Sequence, residues 1–262
     1  MMGEEEVKPP GKVFLLTGGS GTLGKHIISS GLFKSLLAPT HSELDITNQA
    51  AVEKFFLQND FGVVIHCAAL ARVGECEKEP EKALLVNAEG TANLVFATID
   101  KEAATGKKIR FIHVSTDGVY QSTKGNYSET DAAMPYNEYG WTKLAAEVAV
   151  NTLTNFCVIR TRFLDPKNIR YDAYATDSYT SVIPVDELVK AIAIMADGEF
   201  VGTINIGGQK VSDYDAYKRY KPTIKPCEFK DIQCNTPFKL SKDASMNISL
   251  WEKVKKRIGV VP

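Results

Sequence analysis

Histidine is scarce in this sequence, with four residues in 262, and the five cysteines (Cys67, Cys76, Cys157, Cys227, Cys234) form an odd set without a CxxC pair. No histidine stands at zinc-ligand spacing from them, so no metal site and no disulfide framework is expected. Reduced thiols in a reducing, cytoplasmic setting are the expectation instead. Long apolar runs are missing as well. Stretches such as Val63 to Leu70 fall far short of the roughly 20 residues that cross a bilayer. Neither sign of charge dominates: 31 Lys and Arg face 32 Asp and Glu, and the basic residues are scattered singly. That distribution supplies no stripe for a phosphate backbone or an anionic lipid surface, which disfavours nucleic-acid and membrane partners. The opening MMGEEEVKPPG has no basic start or apolar run of the signal-peptide kind and reads as a solvated tail over residues 1–11. Repeats and low-complexity tracts are absent.

What is present is enough apolar residue, 44% of the chain, for one good core with a small appendage. VFLLT (Val13 to Thr17) is a short apolar run that ends in a glycine cluster, and Leu23 to Leu37 then repeats apolar residues at helical spacing. The alternation continues with a helix over Ala51 to Leu57, a strand over Val63 to Cys67, a helix over Pro80 to Ile99 and a strand over Ile109 to Ser115. A helix over Glu138 to Thr154 and a strand over Cys157 to Thr161 follow. Fully apolar strands alternating with helices predict an α/β fold, a Rossmann-type doubly wound parallel sheet with a small C-terminal substrate-binding lobe. The dinucleotide-binding domain is expected over 12–161, with a helix and strand in 183–207 returning to it. The polar, tyrosine-rich stretch 162–182 and the Pro- and Lys-rich stretch 208–262 are expected to form the lobe. Right-handed crossovers place all strand carboxyl ends on one edge, where open α/β sheets bind ligands.

TGGSGTLG (Thr17 to Gly24) sets Gly18, Gly21 and Gly24 between the first strand and the first helix. Glycines there allow a tight turn and let backbone amides at a helix N-terminus approach a pyrophosphate. After the second strand, Thr40, His41 and Ser42 offer no acid to bind a ribose 2′-hydroxyl or repel a 2′-phosphate, so NADP(H) is favoured over NAD(H). His41 either touches the extra phosphate or is a plain exposed loop residue. Asp45 in LDIT is placed to reach the adenine amine, and the small Ala68 and Ala69 after Cys67 leave room for a cofactor. Tyr139 and Lys143 stand four apart in EYGWTKLAAE, which puts both on one helix face. A cation beside a phenol favours the phenolate and is expected to lower the Tyr139 pKa toward the range useful for proton transfer. The hydroxyls that end IRFIHVSTDGVY, Thr116 above all, are expected to supply a second hydrogen bond to a substrate carbonyl.

These segments together resemble the extended short-chain dehydrogenases/reductases, and within them the dTDP-4-dehydrorhamnose reductase family, over roughly Lys12 to Arg160. The resemblance rests on TGGSGTLG, LDITNQAAVEKFF, HCAALARVGECEKEPEKALLVNAEGTANL with Glu77 in VGECE, VSTDGVY and YSETDAAMPYNEYGWTKLAAE. It implies hydride transfer from a nicotinamide to the C4 carbonyl of a nucleotide 4-keto-6-deoxysugar. Tyr139 would be the acid, Lys143 its activator and a ligand of the nicotinamide ribose, and Thr116 the second donor. Gly18, Ser20, Gly21, Thr22 and Leu23 would bind pyrophosphate. Asp45, Ile46, Cys67, Ala68 and Ala69 would line the adenosine and ribose side, with Asn87 near the nicotinamide. Asp117 and Arg162 would face substrate, Arg162 either on a diphosphate or in a salt bridge to a local acid such as Asp165. The chain departs from the family at Gly74, where Asp is usual, and at Gly118, where an aromatic is usual. Two other readings stay open: a sugar-nucleotide epimerase or dehydratase with bound NAD, and a non-catalytic subunit resembling the methionine adenosyltransferase β subunit. A homodimer through the Pro80 to Ile99 and Glu138 to Thr154 helices follows from fold analogy.

Overall fold

In the computed structural model, which describes residues 12–259, the chain begins as anticipated with β1 (Val13–Thr17) and a glycine turn leading into α1 (Thr22–Ser29). The expected tail over 1–11 lies outside the described residues. The helix expected over Leu23 to Leu37 is too long. It stops at Ser29, Gly31 takes a left-handed φ of 67°, and Ser35–Leu37 forms β2, paired in parallel with β1. The apolar residues Leu32, Phe33, Leu36 and Leu37 happen to continue the helical phase, but the left-handed glycine ends the helix before them.

The chain continues through α2 (Gln49–Gln58), capped by the Asn48 side chain, β3 (Val63–His66), and a short α3 (Val73–Lys78) that the periodicity did not reveal. The helix expected over Pro80 to Ile99 is α4 (Pro80–Leu84), a π-helical turn over Leu85–Glu89 and α5 (Gly90–Thr105). Next come β4 (Arg110–Val114), α6 (Glu138–Val150) and β5 (Phe156–Arg160). After them the strands are short: β6 (Phe163–Leu164), β7 (Ala173–Ala175), β8 (Tyr179–Thr180) and β9 (Ile183–Pro184). The final part comprises α7 (Val185–Asp197), β10 (Gly202–Asn205), β11 (Val211–Ser212), α8 (Asp213–Lys218), β12 (Lys225–Cys227), α9 (Phe229–Cys234) and α10 (Ser249–Arg257).

Six strands form one wholly parallel sheet in the order β10-β5-β4-β3-β1-β2. Its interior strands are buried on both faces, which is why they read as unbroken apolar runs. On one face Leu23 and Ile27 of α1, Leu188 and Ile192 of α7 and Trp251 of α10 pack over the strands. On the other, Val52 and Phe56 of α2, Leu94 of α5 and Val150 of α6 do the same. Trp251 therefore places α10 in this core, although the C-terminal stretch was read as part of the lobe. The remaining irregular segments join one another in two-stranded ribbons, β7 with β12 and β8 with β11. The connection leaving β1 runs to β2 on one side, and the connection leaving its neighbour β3 runs to β4 on the other. This makes a crevice at their carboxyl ends, the topological position where open α/β sheets bind ligands.

Candidate active site

The crevice opens on the glycine turn. Gly18 sits at φ 75°, and a Cβ there would lie 2.6 Å from the backbone nitrogen of Ala68 at the end of β3. A Cβ on Gly24 would collide with the carbonyl oxygen of Gly18. Contact thus requires both glycines, and the left-handed backbone requires Gly18 a second time. The N-terminus of α1 is capped by Gly21 with no side-chain hydrogen bond, and no acid lies in its first turn. Its amides and the positive end of its dipole therefore face the crevice without a protein partner of opposite charge, which fits a pyrophosphate. Gly18→Ala should cost about 2–4 kcal/mol through strain and overlap and should abolish dinucleotide binding. Melting curves with and without the dinucleotide check both effects.

Two adjoining cavities occupy this edge, one of about 510 Å³ and one of about 300 Å³. Gly18, Gly21, Cys67 and Ala69 line both and so form the shared wall. Ser20, His41, Asp45, Ile46 and Ala68 line the smaller cavity. Thr22, Leu23, Thr116, Asp117, Tyr139, Lys143 and Arg162 line the larger. Asn87 lines neither. It is buried behind the wall, where its side chain bonds the Leu70 amide at 2.7 Å, the Leu70 carbonyl at 3.1 Å and the Thr142 hydroxyl at 2.9 Å. Asn87, expected near the nicotinamide, thus braces the loop after β3 against α6. Glu77, another sequence landmark, accepts the backbone N–H of Glu138 at 3.0 Å and so holds the first residue of α6. Gly118 lines the larger cavity, whereas Gly74 lies on α3 against the ring of Phe238.

In the smaller cavity one oxygen of Asp45 is taken by Thr47, from its hydroxyl at 2.7 Å and its amide at 3.0 Å. The Thr47 hydroxyl, chiefly, holds the carboxyl below its ordinary pKa. The other oxygen faces the exposed His41 ring at 3.9 Å. Glu43, the nearest acid to the tip of β2, is turned back onto Thr40, accepting from its amide at 2.7 Å and its hydroxyl at 2.8 Å.

In the larger cavity α6 presents Tyr139 and Lys143 on one face. Asn137 caps this helix by accepting the Gly140 amide at 2.8 Å. The expectation that Lys143 lowers the phenol pKa is corrected. Burial first, then the Asp117 carboxylate, push the Tyr139 phenol above its ordinary value, against a hydrogen bond with Thr116 and the Arg162 cation. The Lys143 ammonium instead donates to the Val114 carbonyl at 2.9 Å and meets His113 Nε2 at 3.2 Å. Burial depresses the Lys143 pKa to about 8. A phenol raised in this way keeps its proton at neutral pH and is suited to giving it up to a carbonyl oxygen rather than to taking one.

Asp117 is buried, and burial raises its carboxyl pKa against the pull of Arg162. Its Oδ2 lies 2.8 Å from Arg162 Nε, an ion contact, and Arg162 also approaches Asp213 at 4.0 Å. Arg162 is therefore paired with Asp117 and not with Asp165, which lies 3.8 Å from His26 instead. Behind the site, Glu147 follows Lys143 by one turn and makes a buried ion pair with Arg160 at 2.7 Å. It also accepts the Ser115 hydroxyl at 2.5 Å. Arg160 in turn donates to the Tyr120 hydroxyl at 3.0 Å. Sequence reasoning passed over Glu147, Arg160 and His113. The signals were an acid four residues after Lys143 and single polar residues inside apolar strands.

The sequence matches the profile of the RmlD substrate binding domain over residues 12–171. It is 30% identical over 206 residues to a dTDP-4-keto-6-deoxy-D-glucose reductase of Streptomyces niveus, covering 76% of this chain and 67% of that one. It is 34% identical over 158 residues to methionine adenosyltransferase 2 subunit beta of Xenopus tropicalis, covering 56% of this chain and 45% of that one. Its fold superposes with a TM-score of 0.82 on a dTDP-4-dehydrorhamnose reductase of Clostridium acetobutylicum, at 26% identity over 92% of this chain and 91% of that one. A second reductase of that name, from Bacillus anthracis in complex with NADP, shares the fold with a TM-score of 0.80, at 21% identity over 95% of this chain and 99% of that one. The chain belongs to the RmlD substrate-binding-domain family, the dTDP-4-dehydrorhamnose reductase-like branch of the extended short-chain dehydrogenases/reductases.

Proposed function

We propose that this protein is an NADP(H)-dependent oxidoreductase that reduces the 4-keto group of a nucleotide-activated deoxysugar. The observation that carries the reading is the convergence of Thr116, Tyr139 and Lys143 on one cavity that shares its wall with the glycine turn. A nicotinamide dinucleotide held at the glycine turn by Gly18, Ser20, Gly21, Thr22 and Leu23 would supply the hydride to C4 of the sugar. Tyr139 gives its phenolic proton to the carbonyl oxygen as the alkoxide forms, so the product carries one new C–H and one new O–H bond. Thr116 steadies the same oxygen, and the Lys143 ammonium, held at the Val114 carbonyl, adds positive charge to the cavity in which the alkoxide forms. Preference for NADP(H) is supported by Thr40, His41 and Ser42 standing after β2 where an acid would repel a 2′-phosphate, with the exposed His41 lining the smaller cavity. The test is oxidation of NADPH and NADH against a panel of nucleotide 4-keto-6-deoxysugars. Turnover with NADPH is expected, and none with any member would overturn the reading.

Lys143 acts as a cation and titrates near pH 8, so kcat/KM should be flat near neutrality and fall as pH rises through about 8. Tyr139, raised by its surroundings, stays protonated over that range and adds no earlier loss. A pH profile measured with saturating cofactor checks the sign.

The likeness to the methionine adenosyltransferase subunit favours a second reading, a regulatory partner of a larger enzyme. Co-purification with such an enzyme, and a change in its kinetics, would support it. The cavity with its proton donor argues for catalysis.

Among the described residues no helix is long and apolar enough to cross a membrane. A cytoplasmic location is proposed from the five free thiols. A homodimer is proposed from the exposed Leu84, Phe96 and Ile99 on α4 and α5 and the exposed Trp141 and Val148 on α6. Phe96→Glu should then yield monomers in sedimentation velocity.

A further inference from the structure

Two histidines lie inside the sheet beneath the site, His66 at the end of β3 and His113 in β4, both essentially without solvent exposure. Their rings are tilted against each other, with centres 5.1 Å apart. His66 is satisfied at both nitrogens, Nδ1 with the Thr17 hydroxyl at 2.7 Å and Nε2 with the Thr91 hydroxyl at 2.9 Å. His113 differs. Its Nε2 lies 3.2 Å from the Lys143 ammonium, and its Nδ1 has no partner among the described residues.

An ammonium carries three N–H groups and no acceptor, so His113 Nε2 must accept at this contact and the ring proton must reside on Nδ1. That tautomer leaves a buried donor unsatisfied, which an apolar side chain at this strand position would avoid. The contact with Lys143 is what the imidazole offers in return. Burial and the Lys143 cation hold His113 well below its ordinary pKa, so it remains a neutral acceptor near physiological pH.

We propose that His113 is a positioning residue for Lys143. Its Nε2 takes one ammonium proton, the Val114 carbonyl takes a second, and the third is left for the cavity that Lys143 shares with Tyr139. β4 thus preorganises the lysine from beneath. The other titratable or charged groups facing Lys143 are Tyr139 and Glu147 on α6, Cys67 and His66 from β3 and its end, and Asp117 and Arg162 across the cavity. An acceptor to an ammonium stabilises its charged form, so removing His113 Nε2 lowers the Lys143 pKa and moves the alkaline limb of activity to lower pH.

The proposal rests on the reductase reading for its kinetic readout only. The experiment compares His113→Leu, His113→Asn and His113→Gln. The Gln side-chain oxygen reaches the position of Nε2, the Asn oxygen ends near Nδ1, and Leu offers no acceptor. Each variant is checked for folding by thermal melting. Two readouts follow: the kcat pH profile, and the Lys143 pKa by NMR of protein carrying ε-¹³C lysine, with the Lys143 signal assigned from Lys143→Met.

The expected result is a kcat loss of about tenfold and a fall of about half a pH unit or more in the Lys143 pKa for Leu and Asn, with Gln within about threefold of wild type. Wild-type behaviour of the Leu or Asn variant, or a Gln variant impaired as much as Leu, overturns the proposal. If the Leu variant fails to fold, the comparison of Asn with Gln decides. If the wild type reduces no 4-keto sugar, the reductase reading fails while the NMR titration still decides this one. A Lys143 pKa unchanged by Asn and Leu then overturns it, and a lowered pKa that Gln restores supports it.

Discussion

Replacing Tyr139 with Phe should lower turnover by about 100-fold or more while NADPH still binds. The phenol is held above its ordinary pKa by burial and by Asp117, so in the resting enzyme it carries the proton that the nascent alkoxide needs. Phenylalanine keeps the ring in its place on α6 and removes that proton alone. The loss should therefore appear in the chemical step and leave dinucleotide affinity close to wild type, as read by single-turnover kinetics beside fluorescence titration of NADPH. Thr116→Ala should do less harm. The threonine hydroxyl also accepts the Gly118 amide at 3.0 Å, so part of its work is to shape the loop.

The largest stability effect is expected at Arg160. Its side chain is 8% exposed, and that of its partner Glu147 is 2% exposed. Arg160→Met leaves Glu147 buried with only the Ser115 hydroxyl among its present side-chain partners. Breaking such a pair on one side costs about 3–5 kcal/mol. The Tyr120 hydroxyl loses its contact with Arg160 at the same time but keeps the Asn205 side chain at 2.8 Å and the Ser128 carbonyl at 3.1 Å. The double replacement Arg160→Met with Glu147→Met should recover part of the loss, because two apolar groups leave no charge stranded. Urea denaturation of the two variants gives both numbers. A single variant as stable as wild type would show that the pair is not what ties β5 to α6.

Much of the sheet was legible because its strands are apolar on both faces and sit between glycine turns and amphipathic helices. β1, β3, β4 and β5 fall within a residue or so of their expected bounds. β2 was hidden because Leu32 to Leu37 stay in phase with the preceding helix, and only the left-handed backbone at Gly31 separates the two. The ribbons of β7 with β12 and β8 with β11 join residues distant in sequence, so no local pattern marks their pairing.

At the site, spacing alone put Tyr139 and Lys143 on one helix face, and the glycine turn was legible from its strand-before, helix-after context. The direction of the phenol pKa was not, because it depends first on the burial of Tyr139 in the folded cavity and then on Asp117 reaching the same cavity from the end of β4. Neither was the place of Asn87, whose bonds to Leu70 and Thr142 exist only once the π-helical turn over Leu85–Glu89 packs against α6 and the loop after β3. Arg162 illustrates the same limit: two acids distant in sequence claim it, and the nearby Asp165 does not.

The measurement that bears most directly on the account is the fate of isotope from deuterated NADPH. With deuterium at the transferable nicotinamide position and a nucleotide 4-keto-6-deoxysugar as acceptor, deuterium should appear at C4 of the product, one per NADPH consumed, and Tyr139→Phe should slow its appearance in step with turnover. Oxidation of the cofactor without deuterium at C4, or a Tyr139→Phe enzyme that labels the sugar at the wild-type rate, would contradict the account.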